Sequence, residues 1–217
     1  MVYGMDIGGT KIEMAVFTDH FQLLERWRVA TPTDDYPLFL ATISQLIAQA
    51  DQYLGLRAPI GIALPGVVTP QGMLISSNVA CLNQRTVAAD VTTLLQRPVA
   101  LGNDCRLFVL SEATLGAGRD YPRVFGVVLG TGAGGGLCVH GELSQGPQQL
   151  AGEFGHQSIA GRVLLQHQLP LYPCGCGLSG CAETYISGTG LARLYRHFSQ
   201  QDHTTYDWLH AFRRGEQ

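Results

Sequence analysis

His156, Cys174, Cys176 and Cys181 supply one imidazole and three thiols in the spacing H-x17-C-x-C-x4-C. Imidazole nitrogen and thiolate sulfur are the donors that close a tetrahedral zinc site, so the spacing points to a structural Zn2+ ion. A carboxylate flanks the set on each side, Glu153 before the histidine and Glu183 after the last cysteine. A histidine held by zinc through one ring nitrogen keeps a single N–H of fixed direction. Metal ligands ringed by carboxylates and glycine turns therefore read as a shaped pocket as well as a staple.

Two glycine-rich segments offer a different chemistry. In Asp6-Ile7-Gly8-Gly9-Thr10-Lys11, the glycines let the backbone turn tightly and present N–H groups to an anion. Thr10 and Lys11 add a hydroxyl and a positive charge, and Asp6 can hold a magnesium ion through water. Gly130-Thr131-Gly132-Ala133-Gly134 repeats the pattern without the lysine. Either segment alone reads equally well as a hairpin turn. Two of them, with threonine at matching points, favour a phosphate clamp. Asp104 follows a short apolar run and opens a helical pattern, so the residues alone make it a helix N-cap.

These residues need strands and helices to hold them. Apolar runs at 2–7, 12–17 and 22–29 predict strands, with the first glycine turn between the first two. Leu38, Ile43, Leu46, Ile47, Ala50 and Leu54 fall at helical spacing, with Gly55 as the stop. Further strands are expected at 59–64 and 98–101, and helices at 87–96 and 104–115. A second strand–glycine–strand unit spans 124–140, its turn running from 131 to 136, and helical patterns follow Cys181 and cover 190–198 and 206–213. The alternation gives the α/β class. The two glycine hairpins imply two similar halves facing one cleft, divided at 1–117 and 118–217.

Bulk properties exclude several function classes. A formal charge of −3 with dispersed basic residues argues against nucleic acid as a partner. No apolar run reaches the roughly 18–20 residues of a membrane span, and the opening residues lack a signal-peptide pattern, so the expected compartment is the cytoplasm. Three of the six cysteines form the metal set, which leaves Cys81, Cys105 and Cys138 as expected buried thiols. Among the histidines, only His156 keeps such company.

With both loops and the cysteine segment in view, the chain resembles the ROK (repressor, open reading frame, kinase) sugar kinases. The resemblance runs from residue 3 to about residue 198. It rests on DIGGTK, Leu64-Pro65-Gly66, Asn103-Asp104, LGTGAGGG, EFGH and CGCGLSGC, in the order the family has them. The opening block and the cysteine block are most similar to those of bacterial N-acetyl-D-glucosamine kinases. The resemblance implies an actin-like, ribonuclease H-like two-lobed ATPase fold, with the second lobe incomplete in this chain, and a dimer.

It also implies roles. Asp104 becomes the general base that takes the proton of the sugar 6-hydroxyl as that oxygen attacks the γ-phosphate of ATP. Gly66, Asn78, Asn103, Glu153, His156 and Glu183 bind the sugar. Asp6, Gly8, Gly9, Thr10, Lys11, Gly130, Thr131, Gly132 and Gly134 bind ATP with Mg2+. The expected substrate is N-acetyl-D-glucosamine; the alternatives are another hexose (glucose, fructose, mannose or N-acetylmannosamine), or sugar binding without catalysis. Cys105 and Arg106 depart from the Ala and Asn more usual after the base, and Arg106 is expected to reach solvent.

Overall fold

The computed structural model describes residues 1–69, 71–76, 79–146, 150–201 and 204–215 of the 217-residue chain. It forms two compact units, Met1–Phe108 with Gln145–Leu150, and Val109–Ser144 with Ala151–Gln217. The division falls earlier than the expected 117/118 break, inside a helix.

The first unit is built on strands β1 (Val2–Ile7), β2 (Lys11–Phe17), β3 (Leu23–Ala30), β4 (Ile60–Leu64) and β7 (Val99–Asn103). Their order across the sheet is β3-β2-β1-β4-β7, antiparallel at the first two pairings and parallel at the last two. This is the ribonuclease H-like sheet that the motifs imply. Side chains alternate across a strand, so Tyr3, Met5 and Ile7, then Ile12, Met14 and Val16, then Ile60, Ile62 and Leu64 all enter one core. Helix α1 (Tyr36–Leu54) joins that core through Phe39, Ile43, Leu46, Ile47 and Ala50, one stripe at helical spacing.

Its ends follow from local chemistry. Asp35 accepts the N–H of Leu38 at 2.9 Å and opens the helix. Gly55 closes it at φ 68°, its N–H on the carbonyl of Asp51. Helix α2 (Val87–Leu95) adds Val87 and Val91 to the core, while β5 (Val67–Val68) and β6 (Leu74–Ile75) form a small hairpin. Each large apolar side chain so buried contributes roughly 1.5–3 kcal/mol.

Helix α3 (Asp104–Thr114) starts in the first unit and ends in the second. Its later residues Val109 and Ala113 form a second core with Cys138 of β9. That packing places the division inside α3 rather than at the glycines after it. The second unit holds the sheet β10-β9-β8, made of β8 (Arg123–Leu129), β9 (Ala133–Val139) and β10 (Glu142–Leu143). Short helices α4 (Gly161–His167) and α5 (Glu183–Ile186) precede α6 (Gly188–Ser199) and α7 (Thr205–Arg213). No described helix is long and apolar enough to cross a membrane.

Candidate active site and metal centre

In the first unit, β1, β4 and β7 run parallel and in register, Asp6 beside Ala63 and Leu64 beside Asn103. Open α/β sheets gather ligands at the carboxyl ends of such strands. Here those ends bring Asp6, Gly66 and the Asn103-Asp104 pair to one edge. Asn103 does the capping expected of Asp104: its Oδ1 accepts the N–H of Arg106 at 3.0 Å. Its Nδ2 donates to the carbonyl of Gly66 at 3.1 Å, which ties the turn bearing Asp104 to the turn after β4. Asp104 is the first helical residue, and its Oδ1 accepts the N–H of Cys105 at 2.8 Å.

Gly66 has φ +118°, and a Cβ there would stand 2.3 Å from the carbonyl oxygen of Ile75. Only glycine fits. Burial first, and then the negative charges of Asp104 and Glu13, push Asp6 above the ordinary carboxylate range, with Lys11 opposing. Two carboxylates that feel each other at one strand edge are suited to divalent cation chemistry or to proton transfer.

The first glycine turn is held by a residue that the sequence reading did not single out. Thr31 donates its hydroxyl to the carbonyl of Gly8 at 2.7 Å and its N–H to the carbonyl of Thr10 at 3.2 Å. Gly8 donates to the carbonyl of Lys11 at 2.9 Å.

Arg106 corrects an expectation, because it is 8% exposed and does not reach solvent. It shares the inward stripe of α3 with Val109 and Ala113, at positions i, i+3 and i+7. Cys81 and Cys105 are only half-buried, whereas Cys138 is buried as expected. Asn78 lies outside the described residues.

In the second unit, Leu129 pairs with Ala133, so the second glycine turn is only Gly130-Thr131-Gly132. The turn expected through 136 is strand instead, and Gly134 stands in β9 opposite Val128. A Cβ on Gly135 of β9 would stand 2.3 Å from the Gly126 carbonyl oxygen and 3.2 Å from the Phe154 ring. A Cβ on Gly155 would stand 1.9 Å from the carbonyl oxygen of Ala133. The short turn Phe154–His156 is therefore pressed onto the start of β9, next to the glycine turn, with Glu153 at its entry.

His156, Cys174, Cys176 and Cys181 meet with their ligand atoms all within 4.8 Å of one another. A tight turn does this. Cys174 donates its N–H to the carbonyl of Leu178 at 2.8 Å, and Ser158 bridges to Cys181. The Cys176 and Cys181 sulfurs are 3.6 Å apart, and Cys174 Sγ lies 3.5 Å from His156 Nδ1. Tetrahedral coordination with zinc–sulfur bonds of about 2.3 Å puts donors roughly 3.5–3.8 Å apart, so the residues fit the ion. Burial, with a hydrogen bond to Glu183, pushes the Cys174 thiol well up. Burial opposes the Cys176 thiolate too, yet the N–H of Leu178 and the neighbouring thiols bring that group below its ordinary value.

Glu183 sits between the two features. Its Oε1 is 3.0 Å from Cys174 Sγ, and its Oε2 accepts the N–H of Ala133 at 3.3 Å.

The arrangement matches a known family. The family model described as "ROK family" matches residues 2–217. The chain belongs to the ROK family. It is 59% identical to an N-acetylgalactosamine kinase of Shewanella sp. strain ANA-3, over 98% of this chain and 69% of that protein. An N-acetyl-D-glucosamine kinase of Erwinia tasmaniensis is 42% identical over all of this chain and 72% of its own length. The ROK family glucokinase from Streptomyces griseus, solved with glucose and AMPPNP, superposes with a TM-score of 0.76 at 30% identity, covering 92% of this chain and 61% of that one. The ROK motifs of this chain thus fall on three sites: the edge of the first unit's sheet, the second unit's glycine turn, and the metal cluster.

Proposed function

We propose that this ROK protein transfers the γ-phosphoryl group of ATP to the 6-hydroxyl of an N-acetylhexosamine. The observation that carries the reading is the carboxylate pair Asp6 and Asp104 at the carboxyl edge of β1 and β7. Phosphoryl transfer needs a base on the alcohol and neutralised phosphate charge, and the pair divides that work. Asp104 takes the hydroxyl proton. Asp6 would hold Mg2+ through water, the ion supplying charge neutralisation for the phosphates. Gly8, Gly9, Thr10 and Lys11, with Gly130, Thr131 and Gly132, bind the phosphates through backbone N–H groups, hydroxyls and one ammonium.

Gly66, Asn103, Glu153, His156 and Glu183 serve the sugar, since a buried hydroxyl without a partner is costly. His156, Cys174, Cys176 and Cys181 would hold Zn2+, whose chemistry there is structural. His156 Nδ1 faces the thiols at 3.5 Å, so Nε2–H is the nitrogen left to donate to a hydroxyl. Asn103 has a second duty, because its side chain also caps α3 and ties down Gly66.

The substrate expected from the motifs, N-acetyl-D-glucosamine, has a competitor that differs only in the orientation of its 4-hydroxyl. The 59% identity with an N-acetylgalactosamine kinase, against 42% with an N-acetyl-D-glucosamine kinase, favours N-acetylgalactosamine. An ADP-release assay should compare both sugars with N-acetylmannosamine, glucose, mannose and fructose. The expected result is turnover of both acetamido sugars, with the higher kcat/KM for N-acetylgalactosamine. Equal turnover of glucose would defeat the acetamido assignment. Sugar binding by calorimetry without ADP release would instead establish a binding protein.

A further inference from the structure

The second glycine turn is gripped from behind by the start of α6. Gly188 donates its N–H to the carbonyl of Gly130 at 2.8 Å, and the Thr189 hydroxyl donates to the carbonyl of Thr131 at 2.9 Å. Ser187 orients that threonine. Its Oγ is buried, accepts the N–H of Gly190 at 3.1 Å, and lies 3.0 Å from Thr189 Oγ1. The first residue of α7 joins the same group, the Thr205 hydroxyl donating to the carbonyl of Gly188. Both carbonyls of the turn's first two residues are thus taken by α6. Among the described residues, no protein acceptor takes the N–H of Thr131 or Gly132.

A loop whose carbonyls are fastened and whose N–H groups are left over is arranged to receive an anion. We infer that Thr189 is a positioning residue for the nucleotide: by holding the Thr131 carbonyl, it sets the turn so that its N–H groups meet a phosphate oxygen of ATP. The inference rests on the kinase reading above. Fixing the turn beforehand removes an ordering cost that the nucleotide would otherwise meet on binding. Thr189 itself touches no phosphate in this scheme. Its effect is expected on the nucleotide, because its hydrogen bond holds the phosphate turn and reaches no sugar-binding side chain directly.

Thr189→Val removes the donor while keeping the shape, and Thr189→Ser restores it. The side chain is exposed, so the fold should tolerate both; Thr189→Ala removes the same donor if the valine variant misfolds. One net hydrogen bond corresponds to a change of about five- to tenfold. The expected result is that rise in the KM for ATP with Thr189→Val, with kcat and the sugar KM unchanged and the serine variant like wild type. Titration with a non-hydrolysable ATP analogue, without sugar, should show the same loss of affinity. An unchanged KM for ATP, a serine variant as impaired as valine, or an equal rise in the sugar KM overturns the inference. A wild-type protein that binds no nucleotide overturns the kinase reading and this inference together, which separates the two failures.

Discussion

Asp104, the proposed base, stands beside a neighbour that does most of the structural work. Asn103 supplies the cap that α3 needs, and the carboxylate one position later holds only the N–H of Cys105. Asp104→Asn should therefore leave the fold intact and lower kcat by about 10²–10⁴-fold, the usual worth of a positioned base. Sugar KM should change little; a mutant within a few-fold of wild-type kcat would remove Asp104 from the mechanism. Asp6 makes a different prediction, about pH. Its folded-state pKa is raised above the ordinary value of 3.8, through burial and then Asp104 and Glu13. The folded protein therefore binds that proton more tightly than the unfolded chain does. The stability from this group is present at low pH and is lost as pH climbs from the ordinary value through the raised one. Asp6→Asn should raise Tm at neutral pH relative to wild type, with the gain disappearing below about pH 4. Melting curves across that range check the sign, and a lower Tm at neutral pH would contradict it. Activity should fall in the same variant, a trade expected where charges are crowded for function.

Among the elements, the turn after β4 has little freedom. Gly66 combines a left-handed φ with a backbone oxygen where a Cβ would go, and its carbonyl anchors Asn103. Gly66→Ala should destabilise the protein by about 2–4 kcal/mol, read as a lower denaturant midpoint, and should weaken sugar binding as Asn103 shifts. A stable mutant with normal sugar affinity would show that the turn relaxes easily. The same comparison shows which elements were legible in the sequence. Helix α1 was plain, because Ile43, Leu46, Ile47 and Ala50 hold helical spacing up to a glycine stop, although Leu38 is exposed and Phe39 takes its place in the core. Strand β9 was not. Its glycines read as a long turn, since the signal for a strand is side-chain alternation and β9 has none at Gly135, where a Cβ would meet the Gly126 carbonyl and the Phe154 ring. Arg106 was misread for a related reason: a charged type argues for solvent, and only the later partners Val109 and Ala113 reveal the inward stripe. Thr31 was not singled out because its work, holding Gly8 and Thr10, joins segments distant in the chain.

For the molecule as a whole, the two units draw stability from different sources. The first has a five-stranded sheet closed by α1 and α2 over a large apolar cluster. Among the described residues, the second has a smaller cluster, Val109, Ala113 and Cys138, beneath a three-stranded sheet, with Ala133, Cys181 and Tyr185 buried outside it. The sequence reading placed one glycine turn in each of two expected halves, divided at 117/118. It misplaced their division because α3 has no break in its pattern where its burial changes partner. A small core needs another source of stability, and a bound metal is a common one. Zn2+ at His156, Cys174, Cys176 and Cys181 would tie the 156–181 segment to α5, which follows Cys181 almost directly. Removing the metal should therefore act on one unit. Treatment with a strong chelator, or Cys176→Ser, is expected to abolish a stoichiometry of about one zinc per chain, the four ligands filling one tetrahedral site. Amide exchange across 156–181 and α5 should then quicken, while the amides of β1, β2, β4 and β7 keep their protection. Equal loss of protection in both units would mean that the metal supports the whole molecule. Full zinc retained by Cys176→Ser would mean that the cluster is not the metal site. The predicted asymmetry follows from where the ligands lie: all four belong to the second unit, while the sheet of the first packs on its own apolar cluster.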